Sequence, residues 1–476
     1  MIKALDINLN IKHIITDQQA WHYHIVPQSI TETELILYID NEYLSPNVKE
    51  ELELTLNKTI TLVPIDPGTI KYTLNRYYRK SGDKSSNEHT IVNIKSDDFL
   101  TSLIQEAQEM QSSDIHIETY EEFCRIRYRI DGKLLEKHRL EKENYPALIN
   151  KIKIKANIDI AEKRLPQDGR ILHESWNTKF DIRVSVLPTL NGEKIVLRLL
   201  NKDSSRIEIT KLGFTIEQQN IFLENIKKTH GIILISGPTG SGKSTTLYAT
   251  LKTLNKIERN ILTIEDPIEY TLSGINQVQL REDIGLTFSK ALRTFLRQDP
   301  DIIMLGEIRD NETAQMAIRA ALTGHLVLST IHTNSAWGII SRLSDMGIPP
   351  FLLADTINLC VAQRLIRLLC PKCKEKIRFE VSHLPQQFRT SNIPEYHYIA
   401  RGCEECYYTG YHGRKAIYEV IPIDLELSNL IKQNSSNIEK FKHEKKILSL
   451  AETAYNDFIL GNTSLEEIYP ILLNNL

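Results

Sequence analysis

An eight-residue segment, Gly237–Ser244, has the pattern G-x-x-x-x-G-K-S. Its glycines let the backbone turn so that successive N–H groups point at phosphate oxygens. Lys243 would reach the β- and γ-phosphates, and Ser244 would ligate Mg²⁺. An apolar run precedes the motif, and a helical pattern follows it, so a helix dipole adds to the anion site. The segment predicts binding of ATP or GTP with Mg²⁺. The predicted contacts are Gly237, Pro238, Thr239, Gly240, Ser241, Gly242, Lys243, Ser244 and Thr245.

Four apolar runs separated by helical patterns predict a parallel sheet covered on both faces. They are Gly231–Ser236, Ile261–Ile264, Ile302–Leu305 and Leu326–Ile331. In such sheets, ligands bind beyond the carboxyl ends of the strands. The phosphate loop follows the first run, and polar side chains follow the other three. We therefore expect these side chains to share one edge with the phosphate loop.

Catalytic roles can be assigned to the polar residues at this edge. The third run is followed by Gly306, where phosphate-loop proteins commonly carry a metal-binding aspartate, and Glu307 comes next. Glu307 is the best candidate to orient or deprotonate the attacking water. Glu265 and Asp266 are candidates to support the metal or the water. A glutamate after a strand is by itself more often a solvated surface residue, but four strands with polar groups at one edge favour the catalytic interpretation.

Two histidines flank the fourth run. Seven residues of extended strand span roughly 23 Å, so both histidines cannot touch the phosphates. His332 lies at the carboxyl end and is the candidate γ-phosphate sensor. His325 lies at the opposite end, where a structural role or a subunit contact is the better interpretation.

Two pairs of arginines could complete the site. If Asn191-Gly192 is a two-residue hairpin loop, Leu190 pairs with Glu193, and Arg183 and Arg198 are diagonal neighbours on one strand face. They are either solvated surface residues or phosphate ligands supplied by a smaller domain. The same alternatives apply to the second pair, Arg293 and Arg297, which lie one helical turn apart.

Four of the six cysteines form two Cys-x-x-Cys pairs. In a chain that shows no export signal, this pattern favours metal over disulfides. Two such knuckles can place four thiolates around a structural Zn²⁺ ion, although the 29 residues between the pairs exceed the usual gap. The predicted ligands are Cys370, Cys373, Cys403 and Cys406. Cys124 and Cys360 lie in apolar surroundings and are expected to be buried.

Composition and sequence patterns divide the chain into several parts. The 476 residues suggest two to four domains, and the hydrophobic fraction of 41% is ordinary for globular protein. A net charge of −3 gives no overall attraction to nucleic acid or anionic lipid. Neither a membrane-spanning run nor a signal peptide is evident, so a cytoplasmic location is expected. The predicted divisions are an N-terminal α+β domain at 1–80, a flexible linker at 81–92, an α+β domain at 93–201, an α/β domain at 207–430 containing a tetracysteine element at 368–410, and C-terminal helices at 431–476.

Several segments outside the phosphate loop resemble the secretion-ATPase family of type II secretion and type IV pilus assembly. These segments are Ser113–Glu118, Arg164–Arg170, Asp181–Ser185, Gly192–Arg198, Thr263–Tyr270, Leu296–Asp301, Gly306–Asp310, Thr323–Asn334 and Gln363–Arg367. The resemblance runs from about residue 93 to the end. It implies a RecA-like ATPase domain preceded by a PAS-like α+β domain, with ATP as the nucleotide. In this family Gly306 is normal and does not indicate an inactive enzyme.

The resemblance also implies an assembly and partners. It implies a ring-shaped homohexamer with one ATP site per subunit, in which Arg183, Arg198, Arg293 and Arg297 contact phosphates or a neighbour. The tetracysteine element is typical of the secretion and pilus-assembly branches, which favours extension over retraction. Residues 1–80 would dock on the cytoplasmic domain of a bitopic inner-membrane protein, and an inner-membrane platform protein would be the second partner. The chain would thus be peripherally associated with the inner membrane.

Two other classes of function compete with a pilin-assembling motor. A DNA-uptake or conjugation motor would share the core, but the net charge and the absence of a basic, aromatic-rich strand argue against direct nucleic-acid contact. A nucleotide-sensing scaffold would bind ATP without turnover. The presence of Lys243, Ser244 and Glu307 argues against that role.

Overall fold

The structure is a computed structural model, which describes residues 5, 11, 14–31, 34–56, 58–78, 99–175, 178–200, 208–433 and 438–473. The predicted linker at 81–92 lies outside these residues. The chain divides into two compact units. One comprises Met1–Phe99, Ile117–Arg127 and Glu136–Leu148, and the other comprises Leu100–His116, Tyr128–Leu135 and Ile149–Leu476.

The N-terminal segment forms a three-stranded sheet with its own apolar core. Its strands have the order β1-β2-β3, with β1 and β2 antiparallel and β2 and β3 parallel. Alternate residues of β2, such as Leu35, Leu37 and Ile39, are fully buried, as the period of a half-covered strand requires. The elements are helix α1 (Asp17–His22), strands β1 (Ile25–Ile30) and β2 (Glu34–Asp40), helix α2 (Pro46–Leu56), strand β3 (Thr59–Ile65) and helix α3 (Pro67–Tyr77).

A second sheet has six strands in the order β6-β5-β4-β9-β8-β7. A turn at Asp131-Gly132 joins two of its strands, with both residues at positive φ (47° and 84°) as a type I′ turn requires. The elements are α4 (Phe99–Glu109), β4 (Asp114–Thr119), β5 (Cys124–Ile130), β6 (Lys133–Leu140), α5 (Tyr145–Lys155), β7 (Gln167–Ser175), β8 (Thr178–Thr189) and β9 (Gly192–Leu200).

The hairpin of β8 and β9 has a different register from the predicted one. Its turn is Leu190-Asn191, and Thr189 pairs with Gly192. Arg183 and Arg198 are therefore directly opposite each other, not diagonal. The predicted Asn-Gly loop was wrong by one residue because Gly192 (φ 132°) is the first residue of the outgoing strand.

The third sheet has seven strands in the order β12-β11-β13-β14-β10-β15-β18. Neighbouring strands from β12 to β15 are parallel, and only the pair β15–β18 is antiparallel. The four predicted runs are all strands of this sheet. Its elements begin with α6 (Ile216–Ile226), β10 (Gly231–Ser236), α7 (Lys243–Leu254), β11 (Ile261–Glu265), β12 (Asn276–Gln279), α8 (Phe288–Phe295), β13 (Ile302–Leu305), α9 (Asn311–Leu322), β14 (Leu326–Ile331), α10 (Gly338–Asp345), α11 (Pro350–Thr356) and β15 (Ile357–Leu369).

Both faces of this sheet are buried, which explains its continuous apolar strands. Ile232 and Leu234 of β10 join one core cluster, whereas Ile233 and Ile235 join the other. The doubly covered α/β fold predicted from sequence is therefore present.

The remaining elements lie after β15. A short antiparallel pair, β16 and β17, follows the first cysteine pair, and the C-terminal helices pack on the sheet through Tyr455 and Phe458. The elements are β16 (Glu375–Arg378), β17 (Tyr396–Ile399), β18 (Tyr411–Pro422), α12 (Leu425–Lys432), α13 (Ile438–Glu444), α14 (Leu450–Ile459) and α15 (Leu465–Leu473). None of the helices described has the length and hydropathy that a membrane span requires.

Candidate functional site

The phosphate loop joins β10 to the N-terminus of α7. β10 ends at Ser236, and α7 begins at Lys243 after Gly242 in the left-handed conformation (φ 85°). Gly237 (φ 151°) is the most confined glycine of the loop. A Cβ atom there would lie 2.5 Å from the carbonyl oxygen of Gln363 and 2.6 Å from Oγ of Ser241. The loop therefore requires glycine at this position for two reasons, its backbone angle and the close approach of β15.

The middle of the phosphate loop is exposed to solvent, whereas its first residue, Gly237, is buried. Pro238, Thr239 and Gly240 are exposed, and so is Ser244 in the first turn of α7. Thr245 follows Ser244 in that turn. The loop, the helix N-terminus and an exposed serine hydroxyl form the arrangement that a Mg²⁺–nucleotide requires.

Lys243 is held by neutral groups of the same loop. Its Nζ atom donates to the carbonyl oxygens of Gly237 (2.7 Å) and Pro238 (3.1 Å). Burial lowers the pKa of Lys243, and the nearby Glu307 carboxylate opposes that shift. In the part of the chain that the structure describes, no carboxylate lies within 4.0 Å of this ammonium group. Its charge is therefore available to an anionic ligand.

Glu307 and His332 come together at the carboxyl edge of the sheet. The sheet order places the ends of β11, β13, β14 and β10 side by side, as predicted. Nε2 of His332 lies 3.2 Å from Oε2 of Glu307, and Arg309 pairs with the other carboxylate oxygen. Arg309 also lies 3.4 Å from Oδ2 of Asp266. Glu307, His332 and Asp266 thus form one cluster, which Arg309 connects. Arg309 was not among the predicted site residues.

Glu265 occupies a different environment from the other three candidates. Its side chain is buried and accepts hydrogen bonds from the Tyr248 hydroxyl, from Oγ1 of Thr263 (2.6 Å) and from Nε2 of Gln277 (3.0 Å). Burial and the adjacent Glu265 carboxylate raise the pKa of Tyr248, which keeps the phenol protonated as a donor. In this arrangement the Glu265 carboxylate connects β11 to α7 and β12.

Strand β15 contributes two residues that the sequence interpretation missed. Ala362 pairs with Ser236 at the end of β10, so Gln363 and Arg364 continue beside the phosphate loop. Nε2 of Gln363 donates to the carbonyl oxygen of Ser241 (2.6 Å), and its Oε1 accepts from Oγ1 of Thr246 (2.8 Å). In the sequence, the segment Gln363–Arg367 is singled out only by the family resemblance. The signal that could have identified these two residues is a polar pair within an otherwise apolar strand.

Two of the four predicted arginines lie on the β8–β9 hairpin, and the other two lie on or just after α8. Nη2 of Arg183 donates to the carbonyl oxygen of Ile268 (2.6 Å), and its Nη1 lies 3.2 Å from Glu269, so β8 contacts the loop after β11. Arg198 pairs with Asp114 (3.0 Å). The exposed Arg293 pairs with Glu312 of α9 (2.9 Å), and Arg297 donates to the carbonyl oxygen of Arg293. Nδ1 of His325, at the opposite end of β14, lies 2.9 Å from the carbonyl oxygen of Ala320 and 3.1 Å from Oγ1 of Thr323.

The four paired cysteines converge on one point. Their sulfur atoms all lie within 4.8 Å of one another, and three of the pairs are 3.8 Å apart. Zn–S bonds of about 2.3 Å in a tetrahedron place sulfurs roughly 3.8 Å apart, so the donor set fits Zn²⁺. Backbone N–H groups of Gly402 and Gly410 donate to two of the sulfurs, as expected around thiolate ligands. The ligand residues are Cys370, Cys373, Cys403 and Cys406.

A phosphate loop that follows β10 and lies beside β15, with a glutamate and a histidine at the same sheet edge, defines a P-loop nucleotide-binding protein. Residues 93–470 match the family described as "Type II/IV secretion system protein". The chain belongs to this family.

Known proteins similar to this chain cover most of its length. It is 47% identical over 374 residues to the type II secretion system protein E of Pseudomonas aeruginosa, covering 78% of this chain and 74% of that protein. It is 40% identical to the type IV pilus assembly ATPase PilB of Myxococcus xanthus, covering 98% of this chain and 87% of that protein. The crystal structure of the pilus retraction motor PilT with bound ADP is 28% identical, with a TM-score of 0.52, covering 77% of this chain and 94% of PilT.

These matches confirm the predicted family and the predicted enzyme class. The chain is an ATPase of the secretion and pilus type, and membership in this family implies ATP and Mg²⁺. The tetracysteine cluster could hold zinc.

Proposed function

We propose that this ATPase powers assembly of a pilus or pseudopilus in a type II secretion or type IV pilus system. The observation that carries the proposal is the similarity to the type IV pilus assembly ATPase PilB, which extends over 98% of the chain. The four-cysteine cluster supports the assembly branch, because the family resemblance associates such a cluster with extension.

Hydrolysis is assigned to the cluster at the sheet edge. The backbone of Gly237–Gly242 and the Lys243 ammonium would bind the phosphates, and Ser244 would ligate Mg²⁺, which supplies charge neutralisation when bound. Glu307 accepts the proton of the attacking water, or orients it. His332 holds one oxygen of that carboxylate and contacts the γ-phosphate, and Arg309 holds the other oxygen. Asp266 supports the metal or the water from the next strand, and Glu265 keeps the strand end in place.

The homohexamer and its arginines are part of the proposal. Arg293 is 57% exposed and Arg198 is 58% exposed, so both guanidinium groups can meet a nucleotide or a neighbouring copy. Arg183 already contacts the loop at Ile268, next to the catalytic edge. We assign Arg183 and Arg198 to contacts with ATP from the α+β domain at 93–201, and Arg293 and Arg297 to a phosphate or subunit contact.

The membrane association is assigned to other parts of the chain. The domain at 1–80 docks on the cytoplasmic domain of a bitopic inner-membrane protein. The linker at 81–92 connects this domain to the rest of the chain. An inner-membrane platform protein is the second partner. The four cysteines of the element at 368–410 would hold Zn²⁺ in a structural role.

The test is performed in cells that carry the gene. Replacing it with a Glu307→Gln version should abolish surface pili, or secretion of the cargo, while a hexamer still forms with a non-hydrolysable ATP analogue in light scattering. Normal pili and secretion with this variant would overturn the proposal. If instead DNA stimulates the purified ATPase in a salt-sensitive way, the nucleic-acid motor replaces it.

A further inference from the structure

Arg364 is a half-buried cation beside the phosphate loop. Strand β15 is thirteen residues long and runs parallel to the six-residue β10, so it continues where β10 gives way to the loop. A Cβ atom on Gly237 would lie 3.3 Å from Nη1 of Arg364. The guanidinium is thus next to the first residue of the loop, whose carbonyl oxygen also accepts from Lys243.

The contacts of Arg364 are to neutral acceptors. Nη1 donates to the carbonyl oxygen of Gln363 (3.1 Å), and Nη2 donates to the backbone oxygen (3.2 Å) and to Oδ1 (3.3 Å) of Asn334. Among the described residues, no carboxylate lies within ion-pair distance of this guanidinium. It costs free energy to hold a guanidinium partly out of water without a carboxylate partner, so a group in this position is suited to bind an anionic ligand.

The carboxylate whose electrostatic field reaches Arg364 already has two other partners. Glu419 of β18 is buried, and its Oε2 accepts from the backbone N–H of Ala336 (2.9 Å) while its Oε1 pairs with Nζ of Lys442 (3.1 Å). Burial lowers the pKa of Arg364, and the field of Glu419 opposes this only in part. Arg364 also lowers the pKa of Lys243, so the two cations share one electrostatic environment.

Arg364 joins the loop to the segment that carries His332. Asn334, its hydrogen-bond partner, is two residues beyond His332, whose ring contacts Glu307. A phosphate that draws the guanidinium away from Asn334 would therefore act on the segment that positions His332.

We infer that Arg364 is a γ-phosphate ligand supplied by the same subunit, and that its bond to Asn334 reports whether ATP or ADP is bound. This inference rests on the assignment of Gly237–Ser244 as the ATP site. Arg364 acts on the terminal phosphate because it lies at the end of the loop where Lys243 is held. The β-phosphate, by contrast, is served by the N-terminus of α7.

The inference is tested by calorimetry on the full chain, with the β,γ-imido analogue of ATP and with ADP as probes. For Arg364→Gln, we expect the analogue to bind roughly 10- to 100-fold more weakly, since a hydrogen bond to a charged group is worth about 1.5–3 kcal/mol. ADP affinity should change by less than about twofold. Arg364→Lys, which keeps the charge, should recover part of the preference for the analogue. Arg378→Gln, on the exposed side of β16, is the matched control.

Selective weakening of the ATP analogue in Arg364→Gln supports the role of Arg364 as a γ-phosphate ligand. Equal weakening of both nucleotides, or no weakening of either, overturns the role of Arg364. The ATP site itself is tested separately by Lys243→Ala, which should weaken both nucleotides. If Lys243→Ala binds both nucleotides normally, the site assignment fails, whereas failure of Arg364→Gln alone leaves that assignment intact. A circular dichroism melting curve identifies any variant that has not folded.

Discussion

Nε2 of His332 lies 3.2 Å from Oε2 of Glu307, although the two residues are 25 positions apart in sequence. The distance follows from the adjacency of β13 and β14, whose parallel carboxyl ends place Glu307 and His332 side by side. With Arg309 on the other oxygen, Glu307 is fixed in orientation before any substrate arrives. Preorganisation of this kind is what a group that positions water requires.

Replacement of Glu307 by glutamine should abolish turnover without abolishing binding. The amide keeps the shape but cannot accept a proton, so the phosphate-release rate should fall by about 10²- to 10⁴-fold. Affinity for the ATP analogue should be retained. Glu217→Gln, on the exposed face of α6, is the matched control and should release phosphate at the wild-type rate. An unchanged rate in Glu307→Gln would instead support the nucleotide-sensing scaffold.

Gly237→Ala should disrupt the phosphate loop. The added Cβ atom would meet the Gln363 carbonyl oxygen at 2.5 Å, so the loop must move from its anion-binding shape. We expect nucleotide affinity to fall by at least about tenfold, because displacing the cradle by even 1 Å is costly. The control is Gly132→Ala, where φ is also positive (84°) but an added Cβ atom meets no atom within 4 Å. Wild-type affinity in Gly237→Ala would show that β15 does not confine the loop.

The cysteine cluster should bind one zinc ion per chain. Cys373→Ser should remove that zinc, measured by elemental analysis, and should lower the melting temperature by about 5 °C or more. Cys360→Ala removes a buried sulfur that is not one of the four clustered ligands and should keep the zinc. The zinc assignment fails if purified wild-type chain, never exposed to chelator, contains no metal.

The ion pair of Arg183 and Glu269 should couple β8 to the loop after β11. Their atoms are 3.2 Å apart, and each side chain is about one-third exposed. In a double-mutant cycle with Arg183→Ala and Glu269→Ala, we expect a coupling free energy of unfolding of roughly 0.5–1 kcal/mol. Additive effects of the two substitutions would mean that this contact is absent in solution.

Sequence reasoning predicted four of the seven strands of the ATPase sheet, because each of the four is a short run of apolar residues on both faces. It also predicted the common edge of Glu307 and His332, since parallel strands present their carboxyl ends together. It could not predict that Gln363 contacts Ser241, because those residues are 122 positions apart and the contact depends on β15 outrunning β10. The register of the β8–β9 hairpin failed for a local reason, since one residue of shift in the turn changes every pair.

The central claim, that ATP is hydrolysed at Gly237–Ser244, is tested most directly by the steady-state phosphate-release rate of Lys243→Ala. The Lys243 ammonium is the one cation that the loop itself supplies to the phosphates. We expect a rate indistinguishable from background, with zinc content and circular dichroism unchanged from wild type. Phosphate release at the wild-type rate by a folded, zinc-containing Lys243→Ala variant would contradict the account.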